Sequence, residues 1–441
     1  PAQGWGEKNG TVTNSERRIS RQRAFAAAPG DARPDWWLLA QVAQRLGFGE
    51  GFNWQHPSEI FREHAALSGF ENHGQRAFDI SGLAQLSQAE WDALRPVQWP
   101  VNCNFPQGCA RLFGDRRFFH PDGKARLLVP ATPLLPRRDS AYPLLMNSGR
   151  VRDQWHTMTR TGLVPRLMQH CDEPFVALHP ADAAQYGVTV GVLARVQSAQ
   201  GWISARVRID AGMRRGELFV PMHWNRQFSQ QSHVDMLIAG QACSFSGQPA
   251  LKQTPVRIRP LGVTWQGWFW QREIAPLAGL RYWSRAPYPA VQRYAVAGAG
   301  SPQAWLAEQI DLSGCDVQVA TGSGADYRLL AWRDGALQLA FYAGSALPSL
   351  DSAFVAAAFA DAPQDAAGRH SVLAGQAMQR RAAGRIICSC MSVGEQTILQ
   401  AMAQGCRTTQ ALGEKLKCGT QCGSCIPELK QLLLSDVVVE E

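Results

Sequence analysis

Apolar positions along this chain follow two different periods, and the change from one to the other divides it. In DWWLLAQVAQRLGF, Trp36, Leu39, Val42, Ala43 and Leu46 fall near one face. That spacing predicts a helix, with Asp35 as its cap and Gly47 as its stop. LSQAEWDAL predicts a second helix, opened by a Ser87/Glu90 capping box. LLVPATPLLPRRDSAYP then places Pro130, Pro133, Pro136 and Pro143 close together, which marks a boundary. Beyond it the period shortens. YPLLMNSGR is an apolar run ending in a Gly turn, and ADAAQYGV a short helix closed by Gly187. VLARVQSAQGWISARVRI alternates on both sides of Gln200-Gly201, a hairpin pattern, and ELFVPMHW is another strand. Short strands with many Gly turns predict a barrel-like β domain. Between 263 and 383 the pattern is harder to read. YRLLAWRDGALQLAFYAG is a hairpin turning at Asp334-Gly335, and the stretch around Ala356 and Asp365 reads as helix plus linker. No chemistry is legible there.

Six of the eleven cysteines crowd between Cys388 and Cys425. Cys388 and Cys390 form a C-x-C pair, and Cys422 and Cys425 a C-x2-C pair. Close pairs let two thiolates reach one metal centre without straining the backbone, and Gly419 and Gly423 let the loop fold tightly. The spacer predicts helices: a Ser392/Glu395 capping box, a stop at Gly405, Thr408 as the next cap, and Pro427 in the first turn of a third. The positive end of that third helix would lie beside Cys425 and favour a negatively charged cluster. On spacing alone, four thiolates can hold a zinc ion or a 2Fe–2S cluster, or be packed core cysteines.

The composition is that of an ordinary globular chain, with 45% hydrophobic and 18% charged residues among 441. No apolar run approaches the roughly 20 residues of a membrane span. The start, Pro1 followed by GWGEKNGTVTNSERR, has no signal-peptide character and reads as the interior of a domain. Arginine supplies 38 of 44 basic residues in a net charge of +8. Its planar fork suits phosphate and carboxylate, although biased genomic composition would give the same count. No basic run argues for nucleic acid. Clustered thiols without a secretory signal point to a reducing, cytoplasmic compartment.

MNSGRVRDQWHTMTRTG, from Met146, is dense in hydrogen-bond donors. Gly149 permits close backbone approach, Arg150 or Arg152 can fork a phosphate, and Trp155, His156, Thr157 and Thr159 add a ring and polar contacts. Singly each fits a solvated loop; together they suit an anionic ligand the size of a dinucleotide. The turn is neither a P-loop nor a G-x-G-x-x-G turn.

These motifs carry two resemblances. ICSCMSVGEQTI and GTQCGSCIPELKQLL resemble the 2Fe–2S domain of bacterioferritin-associated ferredoxin. That implies Cys388, Cys390, Cys422 and Cys425 as ligands, with Cys406 and Cys418 left for packing and Cys418 the one substitute. The Gly-Arg turn, with LHPADAAQYGVTVGVLARVQSAQG and GQPALKQTPVRI, is similar to the cofactor-binding domain of bacterial molybdopterin oxidoreductases. That family folds the domain as a six-stranded double-psi barrel. The resemblance implies that Asn147, Ser148, Gly149, Arg150, Trp155, His156 and Thr157 line the pterin and pyrophosphate, with Asn225 and Lys252 as weaker contacts. GWGEKNGTVTNSERRISRQRA resembles the end of the same family's catalytic region, which implies Asn14, Glu16 and Arg17 near the cofactor; an Arg/Glu surface network is the plainer reading.

Together these imply a mixed α/β fragment of the assimilatory nitrate reductase type. The expected parts are the end of a catalytic region (1–130), a dinucleotide-binding domain (141–262), a connecting region of unknown role (263–383) and a small all-α 2Fe–2S domain (384–436). The implied cofactors are a molybdenum bis(molybdopterin guanine dinucleotide), the 2Fe–2S cluster, and a 4Fe–4S cluster in an N-terminal part that this sequence lacks. The implied substrate is nitrate, contacted from that absent part. The implied electron donor is an NADH-dependent flavoprotein or a ferredoxin. A formate dehydrogenase on the same cofactor, and a non-catalytic electron-transfer or metal-binding module, remain open on sequence.

Overall fold

Three strands and three helices build the first of two compact units, Pro1–Thr132 and Pro133–Glu441. The structure, a computed structural model, describes residues 1–129, 137–244, 246–274, 277–377 and 384–437; the proline-rich passage 130–136 lies outside them. In the first unit, strands β1 (Gly10–Thr13), β2 (Arg18–Gln22) and β3 (Val97–Gln98) form an antiparallel sheet. Helices α1 (Asp35–Arg45), α2 (Pro57–Gly69) and α3 (Gln88–Ala93) accompany it. The capping box on α3 forms as expected: the Ser87 hydroxyl accepts from the Glu90 amide and the Glu90 carboxylate from the Ser87 amide. On α1 the expectation fails in detail. Pro34 occupies the cap position, and Asp35, already inside the helix, pairs with Lys8. Its apolar stripe is also largely exposed, with Leu39, Val42 and Leu46 more than half accessible.

The second unit begins with a closed six-stranded barrel. Its strands are β4 (Leu144–Gly149), β5 (Phe175–Leu178), β6 (Leu193–Gln197), β7 (Trp202–Ile209), β8 (Glu217–Pro221) and β9 (Thr254–Pro260), closed in the order β4-β8-β5-β7-β6-β9. The β4–β8 and β5–β7 pairs are parallel and the others antiparallel. Alternating residues such as Leu144, Met146, Val196, Ile203 and Val220 fill the interior. Short helices α4 (Pro165–Met168) and α5 (Pro180–Gln185) lie in the connections around β5.

The region that was illegible in sequence is a six-stranded antiparallel sheet. Strands β10 (Trp265–Gln271), β11 (Tyr282–Tyr288), β12 (Val291–Gly298), β13 (Asp316–Thr321), β14 (Tyr327–Arg333) and β15 (Ala336–Gly344) lie in the order β11-β12-β10-β15-β14-β13. The hairpin at Asp334-Gly335 is as expected: both residues are left-handed (φ 52° and 75°), as a tight two-residue turn requires. Helix α6 (Pro302–Gln309) places Trp305 against Trp265, Phe269 and Phe341 on one face. Helices α7 (Ser352–Ala360) and α8 (Ala366–Ala374) cover the other, together with Met158, Met168, Trp224 and Phe228 from the barrel's connections. Strands β10–β12 are buried on both faces, so they lack the alternation that would have announced them, whereas the edge strand β13 is largely exposed.

The last part is helical but for one short ribbon, β16 (Ile386–Cys388) with β17 (Val393–Gly394). Helices α9 (Glu395–Ala403), α10 (Thr409–Leu416) and α11 (Ile426–Val437) follow. Thr408 caps α10 through the Ala411 amide, and Pro427 sits in the first turn of α11, as expected. Ser392 does not cap α9. The ribbon takes Val393 and Gly394, which leaves Ser392 in a left-handed turn (φ 52°) and Gly394 at the cap position.

Candidate cofactor sites

Strand β4 carries Ser148 and Gly149 to the rim of the barrel, where the chain turns into the Gly-Arg loop. The Ser148 hydroxyl donates to the Leu251 carbonyl at 2.9 Å. A Cβ at Gly149 would lie 2.8 Å from the Phe219 ring on the neighbouring strand. The glycine therefore makes room for that ring. His223, fully buried, then pins the loop: Nε2 accepts from the Val151 amide at 2.9 Å, and Nδ1–H donates to the His156 carbonyl at 2.6 Å. Both contacts need a neutral ring, and burial holds its pKa below the usual histidine value. Asn225 donates to the Thr157 carbonyl at 2.8 Å. Between these pins Asp153, His156 and Met158 take left-handed φ values of 71°, 44° and 61°. Three such non-glycine residues so close together are strained and persist only where their surroundings hold them.

The result is an exposed strip of Arg150, Trp155, His156 and Thr157, with the Arg150 guanidinium 5.1 Å from the Trp155 ring centre. Asn147 is half-buried on β4, and Lys252 is exposed next to Leu251. Charge, a ring and polar donors on one solvent-facing strip fit a phosphate-bearing heterocycle. Ser148, Gly149 and Asn225 shape the strip instead of facing outward from it.

Asn14, Glu16 and Arg17 belong to the first unit and form the turn between β1 and β2. Asn14 Oδ1 accepts from the amides of Glu16 and Arg18 at 3.0 and 3.1 Å. Arg17 (φ 66°) donates to the carbonyls of Trp99, Cys109 and Ala110. Those bonds occupy its guanidinium in holding the 99–110 loop.

The four paired cysteines line one pocket of about 530 Å³. Cys390 donates to Cys422 at 3.2 Å, and Cys425 is hydrogen-bonded to Cys388, so each pair joins one thiol from either motif. The Ser424 hydroxyl and amide, followed by Cys390, draw the Cys422 thiol down to about 7. The thiolate is the ligand form, so this sulfur is prepared to bind. Burial, then the neighbouring Cys388, pushes Cys425 up to about 11. Gly419 and Gly423 are left-handed (φ 77° and 72°), and α11 starts one residue after Cys425. Among the described residues no group of three or more His, Cys, Asp and Glu is arranged to hold a single metal ion. The thiols meet as two facing pairs, an arrangement that suits a two-iron cluster. Cys406 and Cys418 are buried in the helical core, where Cys418 donates to the Leu412 carbonyl.

Sequence reasoning missed that the barrel supplies part of this pocket's wall. Arg152, Asp153, Arg166 and Leu167 line it beside the thiols. Arg152, read from sequence as a phosphate fork, instead donates to the Ile387 carbonyl at 2.7 Å and pairs with Glu428 at 3.1 Å. Asp153 accepts from the Ser389 hydroxyl at 2.7 Å, and His170 meets Glu428 at 3.1 Å.

Comparison with known proteins agrees with this geometry. The family model described as Molydopterin dinucleotide binding domain matches residues 144–255, that for the BFD-like 2Fe-2S binding domain matches 386–435, and that for Molybdopterin oxidoreductase matches 1–45. Over 98% of its length the chain is 53% identical to a nitrate reductase of Klebsiella oxytoca, and it covers 50% of that protein. The chain is similar to the molybdopterin oxidoreductases in three separate stretches. It carries the binding domains for a molybdopterin dinucleotide and a 2Fe–2S cluster, and both groups fit the residues described above. It is also 31% identical to the assimilatory nitrate reductase catalytic subunit of Bacillus subtilis, over 59% of this chain and 35% of that one. Against the F420-dependent formate dehydrogenase 2 subunit alpha of Methanococcus maripaludis it is 30% identical, over 51% of this chain and 31% of that one. The chain thus spans half the length of its Klebsiella relative and about a third of the other two. No helix among the described residues is long and apolar enough to cross a membrane.

Proposed function

We propose that this chain is part of a molybdopterin oxidoreductase that reduces nitrate to nitrite in nitrate assimilation, and that it clasps the dinucleotide cofactor and receives the electrons. The carrying observation is that one loop serves two sites. Arg150, Trp155, His156 and Thr157 face outward from the barrel rim, while Arg152 and Asp153 of the same loop wall the thiol pocket. The 53% identity to a nitrate reductase supports this substrate over formate.

The reaction takes up two electrons and two protons per nitrate and yields nitrite and water, and the bound molybdenum cofactor supplies the oxygen-atom chemistry. The chain's residues bind and orient. Arg150 offers its fork to a pyrophosphate, Trp155 a ring to a heterocycle, and His156 and Thr157 polar contacts, with Asn147 and Lys252 at the margin. His223 and Asn225 hold that strip in place without touching the ligand. Cys388, Cys390, Cys422 and Cys425 would hold the 2Fe–2S cluster, which would supply one-electron chemistry. Asn14, Glu16 and Arg17 serve cofactor binding through the turn they build in the first unit.

We read the barrel as a double-psi barrel, supported by its two parallel pairs within an otherwise antiparallel closure. The functional parts are then 1–130, 141–262, 263–383 and 384–436, the third being the sheet that backs the barrel's connections. The crowding of six cysteines between Cys388 and Cys425 supports a reducing, cytoplasmic setting. The donor is an NADH-dependent flavoprotein or a ferredoxin.

The test is anaerobic reoxidation of the holoprotein. Its cluster is reduced with dithionite, the excess is removed, and nitrate is added. Recovery of the bleached iron–sulfur absorbance with stoichiometric nitrite is expected. A cluster that stays bleached, or recovers without nitrite, overturns the assignment.

A further inference from the structure

The contacts between barrel and cluster domain are concentrated on two consecutive residues. The Arg152 side chain, 19% exposed, reaches the backbone immediately before Cys388 and the carboxylate of Glu428 on α11. The Asp153 side chain, 14% exposed, holds Ser389, which stands between Cys388 and Cys390. Arg152 and Asp153 also face each other at 3.6 Å. Behind them His170, itself buried, bridges Glu428 at 3.1 Å and Asp153 at 3.9 Å. The four side chains form a ring that touches both halves of the cluster motif: the segment of the C-x-C pair and the helix that follows the C-x2-C pair. Asp153 is one of the three left-handed residues of the loop, so the strain in this backbone sits where the second domain takes hold.

We propose that the Arg152–Asp153 corner is the seat that registers the 2Fe–2S domain against the cofactor loop, and that Arg152, Asp153, His170 and Glu428 are positioning residues for electron entry. This rests on the reading that electrons arrive through the tail cluster. Transfer between fixed centres depends on how they are held. A loop whose outer residues meet one cofactor and whose middle residues grip the other keeps the two in constant register. None of the four supplies sulfur to the cluster, so their loss leaves metal binding intact and loosens the docking.

The experiment compares wild-type holoprotein with Arg152→Ala, Glu428→Gln and the double variant. Three quantities are read: iron content with the electron paramagnetic resonance signal of the reduced cluster, the rate at which trypsin releases the tail, and the rate of cluster reoxidation by nitrate. The expected result is unchanged iron and an unchanged signal, with tail release about tenfold faster and reoxidation about tenfold slower in each single variant, and a double variant little worse than either single one, as for partners in one contact. Arg152→Lys, which keeps the charge but cannot span both Ile387 and Glu428, should recover only part of the rate. Additive losses, or release and reoxidation at wild-type rates, overturn the seat. Should Arg152→Ala lose its iron, Glu428→Gln carries the test alone. If nitrate fails to reoxidise even the wild-type cluster, the nitrate assignment falls, while tail release still judges the docking.

Discussion

His223 sits in the barrel rim with no solvent around it and holds two backbone groups of the Gly-Arg loop, one by each ring nitrogen. Neither contact is to a ligand, yet the left-handed residues between Asp153 and Met158 depend on it. His223→Ala would take the partner from the Val151 amide and the His156 carbonyl, both in part-buried contacts, at about 0.5–1.5 kcal/mol for each lost hydrogen bond. The expected outcome is faster hydrogen exchange at Val151 and weaker retention of the dinucleotide, with iron content unchanged. This residue was not legible in the sequence, and the reason is distance along the chain. His223 lies 72 positions from Val151, Arg152 lies 235 from Ile387, and His170 lies 258 from Glu428. The thiols were legible because their chemistry needs short spacing, which sequence displays directly. The role of Arg152 was misread because it lay in a motif that suggested a ligand, while the groups it meets come from elsewhere in the fold.

Among the elements, the buried ion-pair network between barrel and sheet decides most. Glu173, just before β5, accepts from Arg206 on β7 at 2.7 Å and from the Tyr282 hydroxyl on β11 at 2.8 Å. Its neighbour Asp172 pairs with Arg293 on β12 at 2.6 Å. Burial alone would raise the Glu173 carboxyl, but the charge and hydrogen bond of Arg206 and the Tyr282 hydroxyl bring it below the ordinary carboxylate range. Removing one partner of such a pair strands the other charge, so Glu173→Gln should cost about 3–5 kcal/mol, read as a shifted denaturant midpoint. A replacement of Glu173 that leaves the midpoint unmoved would show that Arg206 finds another acceptor, such as Gln266, which it already meets at 2.8 Å. The elements were legible in sequence where one face is wet, as in the β6–β7 hairpin. They were not legible in β10–β12, where both faces are covered.

For the whole molecule these groups set a dependence on pH. Burial holds His223 and His233 below the usual histidine value, so they stay neutral when folded. Groups with a depressed folded pKa stabilise the fold fully above their unfolded value, about 6.5 for histidine, and that contribution is lost as pH falls through the folded value. Glu173 and Glu428 are likewise depressed, Glu428 by His170, Arg152 and Arg385 against the opposing effect of burial. Their contribution is complete above about 4.3 and lost below it. Thermal melting should therefore weaken in two stages on acidification, a shallow one below about pH 6.5 and a steeper one below about 4.3. A melting temperature flat from pH 7 to 5 would show that neither histidine is held neutral.

Within four consecutive residues, His170, Asp172 and Glu173 point to three neighbours: Glu428 of the cluster domain, Arg293 of the sheet and Arg206 of the barrel. A tail transplanted from a relative would bring its sulfur ligands and its helices but not this socket. Shuffling such modules between enzymes would yield chimaeras that are metallated and idle until the host's half of the joint is exchanged with them.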